Sequence, residues 1–594
     1  MGWFAPVRKD LYYHIDLERF GIKDDLTEAN ATTQGFNAAL KDAKEQGYHY
    51  FVFPEGKYLI NTISNFGGLP EYGGGIRIPS NIHIIMDNPY FEAEANDRTG
   101  YSIFYLEAVE NVKMSGIGTI CGDRYNHDYV RDLKDDRTKT HEWGFGIHIR
   151  GCRRVEIKGL TVKNCTGDNI WIPAKGMMNF PGDYTPSRDI LIQDCDLIQG
   201  RRNNLATNGC YGLIVERCDI KEAGGDTIGP QLGIDLEGYG DKGIKYDHPY
   251  EITIKNNWIK NNGRGALTAH TSGKVLIEGN FTDAVISYAY STDVKIKDNF
   301  IINETGQEKP YGIDSIGVSS SETANRVNIS GNTVSGFKTG ICARGSKVKI
   351  HYNEVEGATA AAIQILQCEK VEVSDNTTDG NSVGLLIQQS KAVEASDNTF
   401  RGSENKYGIK IGQDSSDIIL KDNRIRGFGG IFCESARNVV VRDHDIHLAG
   451  SGYGVYFDAK SSVFLDGVTI YNPENTPVYG LADEYAAIIK GLEVIGCKSI
   501  IGIYLHGGIN HDIKGNTVRF RRGKDQGYGI YLNGAKGSVL ARNDVISTDG
   551  FKLSAAYKTD GSEQTTLIEN IQQEVIGGIL AVAPKDRIFG HIER

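Results

Sequence analysis

Val348 to Val355 reads VKIHYNEV, Val371 to Thr378 reads VEVSDNTT, and Val393 to Phe400 reads VEASDNTF. Each phrase runs apolar, any, apolar, any, turn residue, Asn, any, and in an extended chain such alternation sends every second side chain to one face. Towards the N-terminus the phrase returns as VNISGNTV from Val327, VKIKDNFI from Val294, VLIEGNFT from Val275, ITIKNNWI from Ile252, LIVERCDI from Leu213, ILIQDCDLI from Ile190 and VEIKGLTV from Val155. Towards the C-terminus it returns as IILKDNRI from Ile418, VVVRDHDI from Val439, DIKGNTV from Asp512 and VLARNDVI from Val539. The interval is about 19–26 residues, the period of a solenoid coil.

Between copies lies a second short strand that often opens with Gly, as in GIHIR, GIDLE, GALTAH, GIKIG and GIYLN. Each repeat therefore supplies at least two strands joined by tight turns. The pattern predicts an all-β fold, a right-handed parallel β-helix. Leucine-rich repeats need a leucine and asparagine consensus that is missing, and propeller blades need about twice the length per unit. Asn257, Asn280, Asn299, Asn332, Asn353, Asn376, Asn398 and Asn423 recur at one place in the phrase. They are expected to take the left-handed backbone of a sharp corner and to stack as a hydrogen-bonded ladder between coils.

A chain of 594 residues would ordinarily divide into several domains, but a solenoid lengthens its core without widening it. Residues 1–75 read as an N-terminal cap. DLTEANATTQGFNAALKDAKEQGY places Phe36, Ala39, Leu40 and Ala43 at helical spacing and stops near Gly47. Such a helix would cover the open edge of the first coil. Residues 76–550 read as the β-helix, with insertions at about 122–145, 173–188 and 222–250. From about Phe551 the phrase fades, and 551–594 is expected to close the helix end or to join subunits.

The net charge of −11 argues against a nucleic-acid partner, and no apolar run approaches the roughly 20 residues that span a bilayer. The opening MGWFAPVRKDLYYHID lacks the apolar core of a signal peptide, so a soluble chain is expected. The ten cysteines form no CxxC pairs or Cys/His clusters. Cys165, Cys195, Cys218, Cys342 and Cys433 sit in or beside apolar runs and read as small, reduced core residues; no metal site is expected.

The stretch from Gly225 to Gly243, GDTIGPQLGIDLEGYGDKG, holds the best candidate chemistry. In GIDLE, Ile234 and Leu236 can face the core while Asp235 and Glu237 share an exposed ledge. An outward Asp-x-Glu is usually only a solvated face, but two carboxylates at this spacing also suit glycoside hydrolysis. One would protonate the leaving oxygen while the other activates water or attacks. The catalytic candidates are Asp235 and Glu237, with Asp226 or Asp168 as a third acid; the sequence does not assign the donor. Strand parity adds His148, Trp171, Asn204, His270 and Tyr288 to the same surface, and Arg201 and Arg202 would hold an acidic or phosphorylated group or pair with the acids. His141 and Glu142, in the first insertion, could fold over the groove. No cofactor is expected. Calcium on Asp226, Asp235 and Glu237 would shift the chemistry to elimination, but no EF-hand-like spacing supports it.

FGIKDDLTEANATTQGFNAALKDAKEQGYHYFVFPEGKYLI resembles the entry segment of the pectate-lyase-like superfamily, in which a G-x-x-D-D-x-T stretch and a helix precede a strand ending F-P-x-G-x-Y. HEWGFGI at His141, RRNNL at Arg201 and PQLGIDLE at Pro230 resemble tail-spike and tail-appendage proteins of phages of Gram-positive bacteria. The resemblance covers roughly residues 15–320. It implies a right-handed β-helix, frequently trimeric and associated with other virion proteins in a tail, that binds or cuts a bacterial surface glycan such as a teichoic acid or capsule. Polygalacturonases of the superfamily carry G-D-D and G-H-G, whereas this chain has Gly167-Asp168-Asn169 and no G-H-G; the R-x-P-x-x-R of pectate lyases is also missing. A glycan depolymerase, a non-catalytic glycan-binding β-helix, and a lyase or epimerase are therefore the competing expectations.

Overall fold

The computed structural model describes residues 11–593 apart from 64–73, 130–139, 179–183, 226–227, 242–243, 316–323, 413, 428, 522–526, 549–552, 576–578 and 581–584. For 240–241, 244–246, 381, 403–406 and 579–580 it describes the backbone alone. The chain forms two compact units, Met1–Thr305 and Gly306–Arg594.

In the first unit each regular coil has three strands, one more than the minimum read from the repeat. Ser187–Gln193, Asp196–Ile198 and Leu205–Thr207 make one coil; Cys210–Glu216, Asp219–Lys221 and Leu232–Glu237 make the next; Tyr250–Lys255, Trp258–Lys260 and Gly265–His270 make a third. Every strand pairs in parallel with its counterpart one coil away. Like therefore stacks on like. Ile147, Ile170, Leu205, Ile234, Leu267 and Ile286 form one inward column, and Val162, Leu197, Ile220, Ile259, Thr282 and Ile301 form another. All of these are buried, and each large aliphatic side chain contributes about 1.5–3 kcal/mol of transfer free energy.

Helix Ala29–Glu45 covers the first coil. Its Phe36 lies edge-on to Phe53 and Tyr58, each at 5.0 Å, so the helix plugs the core with the residues that its spacing predicted. Gly35 lets the segment that precedes the helix cross close to it, since a Cβ there would fall 2.4 Å from the carbonyl oxygen of Phe20. No helix among the described residues is long and apolar enough to cross a membrane.

The asparagines form the expected ladder, with one correction. In the first unit Asn257 donates its side-chain amide to Asn280 Oδ1 at 3.0 Å, and Asn280 to Asn299 at 3.0 Å. In the second, the chain runs Asn332, Asn353, Asn376, Asn398 and Asn423, then ends on His444. The left-handed backbone, however, belongs to the preceding residue: Asn256, Gly279, Asp298, Gly331, Tyr352, Asp375, Asp397 and Asp422 all have φ between 52° and 65°. The turn residue makes the corner and the asparagine satisfies the buried polar groups that the corner exposes. All ten cysteines are free and buried, as the sequence implies.

The second unit adds an aromatic column. Phe432, Tyr456, Tyr479, Tyr504 and Tyr531 stand in register on successive coils, with Lys410 and Lys558 on the rungs beyond each end. Phe432 and Tyr456 stack at 4.6 Å, and Lys558 lies 4.6 Å over Tyr531. Strands Ala555–Asp560, Thr566–Ile568 and Ile571–Gln573 continue the parallel pairing into the final segment.

Asn376 is a direct test of the ladder, because it bonds Asn398 Oδ1, two backbone carbonyls, and the amides of Asn353. Asn376→Ala leaves several buried groups without partners and is expected to cost about 2–4 kcal/mol, read as a lower urea midpoint.

Candidate functional site

The outward column of the Gly-led strands reads Tyr105, His148, Trp171, Ala206, Asp235, Thr268 and Ser287. Over the early part of this face lies a cleft of about 620 Å³. Each of the three expected insertions contributes to its wall: Glu142 and Trp143 from the first, Pro173, Ala174, Gly176 and Met177 from the second, Tyr239 and Asp247 from the third. His148, Arg150, Trp171, Arg202, Asn208 and Glu237 complete it.

Trp171 is held between Phe145, stacked at 4.5 Å, and Trp143, edge-on at 5.9 Å, while its indole N–H donates to Asn208 Oδ1 at 2.8 Å. Asn208 in turn donates to the carbonyl of Glu237 at 3.1 Å. The aromatic wall and the acidic strand are thereby tied together. His148 is buried against the cleft, with Ser102 Oγ 3.1 Å from its Nδ1.

Arg202 organises the acids. It occupies the corner before Leu205–Thr207 and reaches into the coils on either side: Nη1 is 2.9 Å from Asp168 Oδ2, Nη2 is 3.2 Å from Glu237 Oε2, and Nε is 3.6 Å from Glu142 Oε2. Burial works against its charge, but four surrounding carboxylates, Asp168 foremost, keep its pKa above the ordinary value. Burial pushes Asp168 up to about 6, against the pull of Arg202. Asp235 is pushed up to about 8, first by burial and then by the negative charge of Glu237; Asn203 donates to its Oδ2 at 3.4 Å. Burial also raises Asp247 to about 6, though it accepts the hydroxyl of Tyr184 at 2.7 Å.

Several expectations are corrected here. Asp235 and Glu237 do not share an exposed ledge. Asp235 is 2% exposed and absent from the cleft wall, whereas the Glu237 side chain is 43% exposed. Asp168 is fully buried. Parity gave the outward direction correctly but not the cover that Arg202 and Asn203 provide. Asp226 lies outside the described residues.

Arg201 cannot hold a substrate. Its guanidinium is buried, donating to the carbonyls of Thr140 and His141 at 2.9 and 3.2 Å and lying 4.3 Å over Tyr129. His141 is buried beside it, with Nδ1 2.8 Å from His127 Nε2, and His127 is 2.7 Å from Asp123. This network anchors the backbone that carries Glu142. Asn204 is likewise interior, a rung between Asn169 and Asn262. Tyr288 points into the core, because its strand is one residue out of the expected phase and Ser287 takes the outward place. His270 lies on the rung after Glu237 and outside the cleft wall, with Thr271 Oγ1 3.0 Å from its Nδ1. Asn208 and Asp247 were missed. An acid in the third insertion was a usable signal for Asp247; nothing in the sequence marks Asn208. No group of three His, Cys, Asp or Glu side chains suited to a metal is present among the described residues.

The family model described as right handed beta helix region matches residues 60–301 and 311–470, and one described as periplasmic copper-binding protein (NosD) matches 428–573. The SPbeta prophage-derived uncharacterized protein YorA of Bacillus subtilis (strain 168) is 48% identical over 569 residues, covering 95% of this chain and 96% of that protein. The uncharacterized protein YclG of the same organism is 31% identical over 521 residues, 85% of this chain and 87% of that protein. Among solved structures, the N-terminal fragment of bacteriophage Phi29 gene product 12 aligns over 97% of this chain and 93% of its own at 14% identity and a TM-score of 0.43. The Dettilon tailspike protein aligns over 66% and 67% at 14% identity and a TM-score of 0.42.

The raised Asp235 sets a pH dependence. Its folded pKa exceeds the ordinary 3.8, so the folded state holds the proton more tightly than the unfolded state. That stabilising contribution is complete below about pH 4 and is lost as pH rises towards 8. Asp235→Asn, which mimics the protonated acid, is expected to flatten this loss and to gain about 1–3 kcal/mol at pH 8 over the parent while changing little at pH 4. Thermal unfolding at the two pH values measures it.

Proposed function

The chain belongs to the right-handed β-helix family, and on that premise we propose that it is a phage tail-spike-like protein that binds a bacterial surface glycan in the Trp143–Trp171 cleft and cleaves it by hydrolysis. The carrying observation is the single guanidinium of Arg202 holding Glu142 and Glu237 together at the wall of an aromatic-sided cleft. Aromatic faces suit sugar rings, and two carboxyl groups on one side of a cleft suit proton donation and water activation. Glu142 and Glu237 are the acid–base pair in this reading. Asp168 and Asp235 lie behind them and act through the charge balance of Arg202. The prophage origin of YorA supports a phage-encoded role, with the glycan met at the host surface and the protein carried in the virion.

One observation favours a rival. Arg202 already pairs with three carboxylates, a closed arrangement that also suits a holder that never cuts. Digestion of purified Gram-positive wall polymers and capsules separates the two. Reducing ends are expected to appear with the parent, and Glu142→Gln and Glu237→Gln are each expected to slow their release at least about a hundredfold, the scale of general acid–base catalysis. Saturable binding without product would establish the holder. Chelation with EDTA is expected to leave the rate unchanged; calcium dependence with unsaturated, ultraviolet-absorbing products would mean elimination instead.

A further inference from the structure

The charge of the cleft is lopsided. Among its described lining residues the only cations are Arg150 and Arg202, and both are engaged: Arg150 lies 3.6 Å from Glu107, and Arg202 serves Glu142, Asp168 and Glu237. Against them the wall carries Glu142, Glu237 and Asp247. Arg202 engages only Oε2 of Glu237, so Oε1 keeps its lone pairs for a ligand on a side chain that is 43% exposed. Behind the wall Asp168 is wholly buried, and its Oδ1 has no hydrogen-bond partner among the described residues. On the cleft side, Glu237 Oε1 is therefore an acceptor that the one arginine does not fill.

The aromatic side points the same way. Arg202 itself lies 5.8 Å over the ring of Trp143, so this wall already accepts a cation against an indole face. An incoming carboxylate or phosphate would meet carboxylates that repel it and two arginines already paired with acids; an incoming ammonium would meet the open Oε1 of Glu237 and aromatic faces. We propose that the cleft selects glycans bearing free amino groups, with the ammonium held at Glu237 and Glu142 beside Trp143 and Trp171. The inference rests on the cleft being the glycan site and reverses the expectation of an acidic or phosphorylated ligand. Glu237 and Glu142 are then the residues that set ligand charge.

Titration of the full chain with three tetrasaccharides tests it, read by tryptophan fluorescence and calorimetry: a β-1,4-linked glucosamine tetramer, its fully N-acetylated counterpart, and a galacturonate tetramer. The glucosamine tetramer is expected to bind at least about tenfold more tightly than the acetylated one, the scale of one charge-assisted hydrogen bond, and the galacturonate least. The preference is expected to shrink with rising salt and to vanish in Glu237→Gln, with Glu142→Gln as the second variant. Equal or tighter binding of the acetylated or acidic tetramer overturns the inference, as does a preference that survives both variants, or binding by none of the three. Loss of the amino preference while wall polymers are still cut removes this inference and leaves the hydrolytic reading. An amino preference without product from any polymer does the reverse.

Discussion

Parallel hydrogen bonding between successive coils is the constraint on which everything else rests. It fixes a rise of about 4.8 Å per coil and sets each residue on its counterpart, so apolar positions become columns and polar corner positions become ladders. Columns such as Ile147 to Ile286 then exclude water along the axis, while the asparagine ladders absorb the donors and acceptors left at each turn. An interior this regular allows few departures. The departures are the insertions, and all three meet at one cleft.

What could be read in the sequence follows from that regularity. Ile234 and Leu236 were legible as core because alternation on a paired strand has one solution, and the helix around Phe36 because its apolar residues keep a helical period. Cover was not legible. Asp235 faces outward as parity requires, yet it is buried: Asn203, at the corner of the neighbouring coil and more than thirty positions away, donates to it, and the charge of Arg202 acts on it from the same corner. Arg201 and Arg202 look equivalent in RRNNL, but adjacent residues at a corner diverge, one into a shell of carbonyls and one into the acids. Tyr288 shows the converse failure, where a short strand pairs in the other phase, Ser287 on Thr268 and Tyr288 on Ala269.

The electrostatics of the cleft follow from burying one guanidinium among several carboxyl groups. Desolvation alone would make such a cluster unfavourable, and it persists because the acids divide the work. Asp168 and Glu237 bond the guanidinium, while burial raises the pKa of Asp235 and so lessens the cost of placing it there. Two rows result, a wet one at the wall and a dry one behind it. The Asp123–His127–His141 network and Arg201 fix the segment that brings Glu142 to the wet row, so the geometry depends on side chains that never reach the cleft.

The left-handed residue before each ladder asparagine carries a further implication for how such a chain can change its length. Corner, ladder and column keep their phase only if material is gained or lost as a complete turn. A single-residue slip within a strand would turn the hydrocarbon lining outward and break the amide chain at that level, whereas a duplicated turn would slot between its parents with every contact already provided. Growth by whole rungs is thus built into the architecture, and novelty is confined to the joints.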